Sequence, residues 1–237
     1  MTETTPAEAL AAADLTATEG VPAPAALWSR PPGERAGTPL LVMLHGYGSD
    51  EADLFGLAEL LPPEFTLASV RGPAAAGAGH AWFPLRSDIS YSLESVKAAT
   101  AELARWIDAV GGQHSSVTLF GFSQGMCMAT SLARHRPHDY AAVVGLSGFA
   151  VELDPANESD DFFRDSELAG VELPVFWGRD QADPVIPAPS IEYTNSWLRG
   201  HSQLTKVLYT GIWHGINAQE MGHVREFLTA TVLASAN

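Results

Sequence analysis

The sequence predicts one α/β domain, a mostly parallel central sheet with helices on both faces. Three observations carry this. Runs of apolar, often β-branched residues recur at strand length, for example PLLVML at 39–44 and AAVVGL at 141–146. They lack the alternation of a half-exposed strand, so they fit parallel strands buried on both sides. Stretches with apolar residues at helical spacing separate these runs, which makes the order strand, helix, strand, helix throughout. Residues 25–235 contain neither a linker nor an internal repeat, and 237 residues suffice for one large domain.

Residues 1–24 are rich in alanine, threonine and glutamate without periodicity, and they read as a loosely attached arm preceding a domain at 25–235. Residues 25–29 (AALWS) fit a short edge strand, and the Pro- and Gly-containing 30–37 supply a turn. After the strand at 39–44, HGYGSD at 45–50 forms a loop, and a helix follows, capped by Ser49 or Asp50. Glu51 and Asp53 favour its first turn electrostatically, Leu54, Leu57, Ala58 and Leu61 make its apolar face, and Pro62-Pro63 ends it. Residues 65–70 are the next strand. The Gly- and Ala-rich 71–80 read as a loop leading to Ala81-Trp82-Phe83-Pro84-Leu85.

A long helix is expected over 93–110, with Val96, Ala99, Leu103, Ile107 and Val110 on one face and Gly111-Gly112 beyond its end. A strand at 116–120 leads into Gly121-Phe122-Ser123-Gln124-Gly125, and a helix over 126–135 stops near Pro137. The strand at 141–146 is followed by an acidic, irregular stretch at 149–170, with Asp160, Asp161 and Asp165 around Phe162-Phe163. A strand at 171–178, a helix at 190–198 ending at Gly200, a last strand at 203–209 and a closing helix at 216–233 complete the domain. Asn217 and Glu220 are spaced as a capping box.

Composition narrows the function. The formal charge is −15, with Lys97 and Lys206 the two lysines, so the surface repels phosphate backbones and anionic membranes; neither nucleic acid nor a membrane is an expected partner. One cysteine, Cys127, excludes an internal disulfide, leaves no material for a cysteine metal site and fits a reducing compartment. Its place after the Ser123 turn makes it a small buried residue. No apolar run is long enough to span a bilayer. The first residues lack the basic and apolar regions of a secretory signal, so a cytoplasmic location is expected.

The chemistry centres on Ser123. In Gly-x-Ser-x-Gly between a strand and a helix, the serine occupies a sharp, strained turn, and side chains two residues either side would collide. The turn lifts the hydroxyl out of the sheet at the positive end of the following helix. A serine needs a base to take its proton and an acid to orient that base. Asp183 follows a strand in GRDQADPVIP at 178–187, and His214 follows the last strand in GIWHGI at 211–216. Asp180 is the rival acid; Asp183 is favoured because Pro-Val-Ile-Pro stiffens the chain after it. Of the eight histidines, His214 alone combines a strand end, a flanking glycine and a position after Ser123. An oxyanion needs amide donors, and these are the N–H of Gln124 and, from the Gly-rich loop 45–48, the N–H of Tyr47. Trp82, Phe83 and Leu85 are expected on the acyl side of the site, although a Trp-Phe pair is as often core.

Together, HGYGS at 45–49, GFSQGM at 121–126, DPVIP at 183–187 and Gly215 after His214 resemble the phospholipase/carboxylesterase family of α/β-hydrolases, which includes acyl-protein thioesterases and small bacterial carboxylesterases. The resemblance spans about residues 25–233. It implies a compact hydrolase without a separate cap domain, a Ser123-Asp183-His214 triad, and oxyanion donation by Tyr47 and Gln124. Family members often carry Trp-Phe-Asp where this chain has Trp82-Phe83-Pro84, and neither the acidic stretch nor the arm is a family signature. The expected activity is hydrolysis of small to medium carboxylic esters, or thioesters, with no metal or organic cofactor. A long-chain lysophospholipase or protein deacylase is the nearest rival. A non-catalytic binding protein on the same scaffold is the rival of a different class.

Overall fold

The computed structural model describes residues 24–86, 89–153 and 161–234. The expected arm over 1–24 therefore lies outside the described residues except for its last residue, as does part of the acidic stretch, 154–160.

Seven strands form the central sheet: β1 (Ala26–Trp28), β2 (Leu40–Leu44), β3 (Thr66–Val70), β6 (Val117–Phe122), β7 (Ala142–Leu146), β8 (Pro174–Asp180) and β9 (Gln203–Tyr209). Their spatial order is β1-β3-β2-β6-β7-β8-β9. Only β1 runs antiparallel to its neighbour. β2, β3 and β7 are buried along their whole lengths, which is why their sequences are apolar without alternation. The chain moves outward from β2 in one direction and, after crossing back, outward from β6 in the other. Loops at the carboxyl ends of β2 and β6 thus face each other across the switch point, where open α/β sheets hold their ligands.

Helices α2 (Leu93–Gly111), α3 (Gln124–His135), α4 (Asp165–Leu168) and α5 (Ala188–His201) are packed against one face, in a cluster that includes Trp82, Phe83, Leu103, Met126, Trp177 and Trp197. Helices α1 (Glu51–Phe55) and α6 (Ala218–Leu228) cover the other, with Met43, Phe120, Phe176, Met221 and Phe227.

Several elements depart from expectation, each for a local reason. α1 is shorter than its apolar pattern suggests: Gly56 closes it, and Leu57 onward forms a 3-10 turn. Asp50 is its cap, accepting from the Ala52 amide at 2.9 Å, while Ser49 donates to Asp53 at 2.8 Å. α5 runs through Gly200 to His201, where His201 Nδ1 and Ser202 Oγ donate to the carbonyls of Trp197 and Leu198, both at 2.7 Å. α6 widens into a π-turn at Thr229–Leu233. The acidic stretch contains the single turn of α4.

The largest omission is a hairpin, β4 (Ala74–Ala76) with β5 (Gly79–Ala81), in the segment read as a loop. Alanine and glycine carry little strand propensity, so no pattern betrays it. It buttresses the loop after β2: the Gly48 amide donates to the His80 carbonyl at 2.8 Å, and the His80 amide to Ser49 at 2.7 Å. Gly79 permits the approach, since a Cβ there would lie 2.2 Å from the Gly48 carbonyl oxygen.

Candidate active site

Ser123 sits between β6 and α3 at φ 54°, ψ −117°, a region side-chain-bearing residues rarely occupy. Its surroundings over-determine that strain. The Ser123 amide donates to the Leu146 carbonyl at 2.9 Å, and the Met126 amide returns to the Ser123 carbonyl at 3.0 Å. A Cβ on Gly121 would lie 2.2 Å from the Gly125 carbonyl oxygen, and one on Gly125 would lie 1.8 Å from that of Leu44. Both flanking glycines are thus required by backbone contacts.

The structure brings Ser123, Asp183 and His214 together from three loops. His214 Nε2 is 2.9 Å from Ser123 Oγ, and His214 Nδ1 is 2.9 Å from Asp183 Oδ2. A carboxylate only accepts, so Nδ1 carries the proton and Nε2 presents its lone pair to the Ser123 hydroxyl. The Asp183 side chain is fully buried, and its other oxygen accepts from the Val185 and Ile186 amides at 2.8 and 3.2 Å. The Phe122 ring supports the imidazole, with centroids 5.2 Å apart.

Asp180, the rival acid, has a different task. It is buried at the end of β8, and its Oδ1 accepts from the Ala182 amide at 2.8 Å. Its Oδ2 accepts from the Ile212 and Trp213 amides at 2.7 and 2.9 Å. These amides, with that of Ala182 the largest influence, hold its carboxyl below the usual range. Asp180 therefore ties the loop bearing His214 to the loop bearing Asp183. Trp213, the residue before His214, is held at φ 56° by this clasp.

His45 lies near the site but is not a free base. It is wholly buried; its Nδ1 donates to the Gly46 carbonyl at 2.7 Å and its Nε2 accepts from the Gly72 amide at 2.9 Å. Burial pushes its pKa down, so the neutral ring acts as a brace. Other histidines are spent on stacking or surface contacts, such as His135 on Phe162 and His201 on Trp197.

A cavity of about 430 Å³ opens over Ser123. Gly46, Tyr47, Gln124 and His214 line it around the serine, and Leu85, Ile89, Phe149, Val185 and Ile186 supply apolar wall. The Gln124 amide is in the first turn of α3, where no helix carbonyl can take it. Gly46 lies against Ser123, where a Cβ would be 3.5 Å from the serine Cβ, so the Tyr47 loop borders Ser123. Of the three residues expected on the acyl side, Leu85 lines this cavity. Trp82 and Phe83 are instead in the core, 3% and 1% exposed, and do not line it. The reason is a set of hydrogen bonds that residue-type reasoning missed. The Gln124 side chain accepts from the Trp82 amide at 3.0 Å and donates to the Phe83 carbonyl at 2.7 Å, while the Trp82 indole donates to the His45 carbonyl at 2.9 Å. This pair fixes the walls of the site from behind.

The sequence profile of the phospholipase/carboxylesterase family matches residues 31–232. The chain belongs to that family. It is thus a hydrolase of the phospholipase/carboxylesterase type. A curated relative is lysophospholipase-like protein 1 of Mus musculus, 28% identical over 178 residues, which span 67% of this chain and 72% of that protein. Among solved structures, a carboxylesterase from Mesorhizobium loti superposes with a TM-score of 0.73 at 22% identity, covering 92% of this chain and 98% of that one. Acyl-protein thioesterase 2 of Zea mays does so with a TM-score of 0.69 at 24% identity, covering 87% and 98%. At these identities the two structures speak for the α/β-hydrolase fold, which the family and the parallel sheet share.

Proposed function

We propose that the protein is a serine carboxylesterase acting on small to medium acyl esters, or thioesters, through an acyl-enzyme. The observation that carries this is the unbroken hydrogen-bonded row from Ser123 through His214 to Asp183. In this reading the Ser123 oxygen attacks the acyl carbonyl as its proton passes to His214 Nε2. Asp183 holds the imidazole's orientation and stabilises the imidazolium. The amides of Tyr47 and Gln124 take the charge that develops on the carbonyl oxygen. His214 returns the proton to the leaving alcohol or thiol, and the acyl group remains on Ser123. Water, deprotonated by His214, then attacks the acyl-serine, and His214 passes that proton to the Ser123 oxygen as the acid leaves.

The cavity's volume is in the range of small-molecule sites, and Leu85, Phe149 and Ile186 give it apolar wall for an acyl chain. The same reading takes a small-molecule ester as the partner and a reducing, cytoplasmic setting, supported by the lone, buried Cys127.

The test is turnover of p-nitrophenyl esters of graded acyl length by the protein and by Ser123→Ala. Short and medium esters should be hydrolysed, and the variant should lose on the order of 10⁶ in kcat. Undiminished activity in Ser123→Ala overturns the assignment. A steep continuing rise of kcat/KM with chain length would instead favour a long-chain deacylase, and failure of Ser123 to label with a fluorophosphonate would favour a binding protein.

A further inference from the structure

The chain neutralises one of its buried arginines completely. Arg134, wholly buried, donates to both Asp165 oxygens at 2.7 and 2.6 Å and to the Val151 carbonyl at 2.6 Å. Arg179 on β8 is handled otherwise. It is 6% exposed, yet its guanidinium makes no hydrogen bond or ion pair among the described residues, and its Nη2 is buried without a partner. A buried, unpaired guanidinium is costly and needs an explanation, such as an ion.

Its neighbours are donors too. Arg179 Cζ lies 5.8 Å from the Trp177 ring centroid, and Trp177 is fully buried with an unpartnered Nε1. Lys206, the register partner of Trp177 on β9, places its Nζ 4.7 Å from the same ring and donates to Asn195 Oδ1 at 2.7 Å. Burial first, and then the positive charges of Arg179 and of Arg199 on α5, push the Lys206 ammonium down. Burial likewise pushes Arg179 down, against the pull of Asp183 and Asp180. Those two carboxylates are spent elsewhere, on His214 and on the backbone amides described above. Two cations thus lie against one ring at the β8–β9 edge of a chain whose net charge is −15, and neither has an ion pair among the described residues.

We propose that Arg179 and Lys206 form a binding site for a small oxyanion, a phosphate or a carboxylate group, beside β8 and β9 and apart from the Ser123 cavity. Guanidinium and ammonium donors suit such oxygens, and an anion here would supply the acceptors the site lacks.

The experiment is thermal unfolding and isothermal calorimetry of the intact protein with sodium phosphate, sodium acetate and sodium chloride at equal ionic strength. At ten times its Kd, the ligand should raise Tm by about 3–6 °C over chloride. Response to phosphate alone identifies a phosphoryl-type ligand, and response to acetate as well identifies a general carboxylate site; either supports the proposal. The Lys206→Met variant, altered at a position that is not core, should bind at least tenfold more weakly. The Ser123 cavity is an alternative anion site, so the titration is repeated after Ser123 is blocked with a fluorophosphonate; binding should persist. No effect of phosphate or acetate beyond chloride, an unchanged affinity in the Lys206→Met variant, or loss of binding on blocking Ser123 would each overturn the proposal.

Discussion

Glu220, in the first turn of α6, makes a strong prediction. It is 0% exposed, and both carboxylate oxygens lack partners among the described residues. Its amide donates to the Asn217 cap at 2.9 Å, but its side chain does not reach back to complete a capping box. It is turned instead against β8, where a Cβ on Gly178 would lie 2.2 Å from Oε1. An acid deprived of water and donors prefers its neutral form, and burial pushes this carboxyl from 4.5 up to about 8. Between those values the folded protein holds a proton that the unfolded chain has lost. The unfolded state then binds fewer protons, so stability falls as pH rises, by up to about 1.4 kcal/mol per pH unit. From pH 5 to pH 8 the loss sums to roughly 3–4 kcal/mol. For a chain of this size that corresponds to roughly 7–14 °C in Tm. Glu220→Gln keeps the shape and removes the titration. Thermal unfolding of both proteins from pH 5 to pH 9 should show the variant's Tm gaining on the wild type's as pH rises, with most of the gain complete above pH 8. Parallel curves would refute the reasoning, since they would mean that the carboxylate is solvated or partnered.

Two further outcomes follow from the packing behind the serine. Gln124→Leu deletes the side chain that pairs with Trp82 and Phe83 while sparing its backbone amide, and leaves two buried backbone groups unsatisfied at about 1–3 kcal/mol each; urea denaturation should show the loss, and activity should fall with it as the loop carrying Leu85 loosens. Cys127 is wholly buried, and burial pushes its thiol up to about 12; Ellman's reagent should leave the native protein untouched and titrate one thiol after denaturation, whereas fast native labelling would contradict the packing of α3.

What could be read from the sequence was what depends on burial and on steric demand. Buried parallel strands must be apolar on both faces, so β2, β3, β6 and β7 stand out as runs. The turn at Ser123 tolerates nothing but glycine where its backbone touches Leu44 and the start of α3, so Gly121 and Gly125 are conspicuous. What could not be read was structure built from backbone contacts between distant segments. The β4–β5 hairpin is held by its pairing and by Gly48, Ser49 and His80, none of which has strand character locally. Trp82 and Phe83 illustrate the same limit. Their residue types suit a substrate pocket or a core equally, and the choice is made by Gln124, which lies 42 and 41 residues away in sequence.

The two acids at the end of β8 show how roles divide in a short loop. Asp180 ends β8 and Asp183 follows it three residues on, both are carboxylates, and both are drawn to amides, so composition alone separates them only through the prolines around Asp183. Geometry separates them by what remains available. Asp180 spends both oxygens on the backbone, one on its own turn and one on the turn that carries His214. Asp183 spends one oxygen on the amides of Val185 and Ile186 and points the other at the imidazole. A carboxylate fully occupied by amides can fix a loop but cannot orient a histidine; one with a spare oxygen, itself immobilised by two amides, can do so without moving. Pro184 contributes here by having no N–H to compete for Asp183, leaving the next two amides to grip it. The reach of His214 to Ser123 therefore depends on two acids acting in series, one holding the loop in register and the other holding the ring.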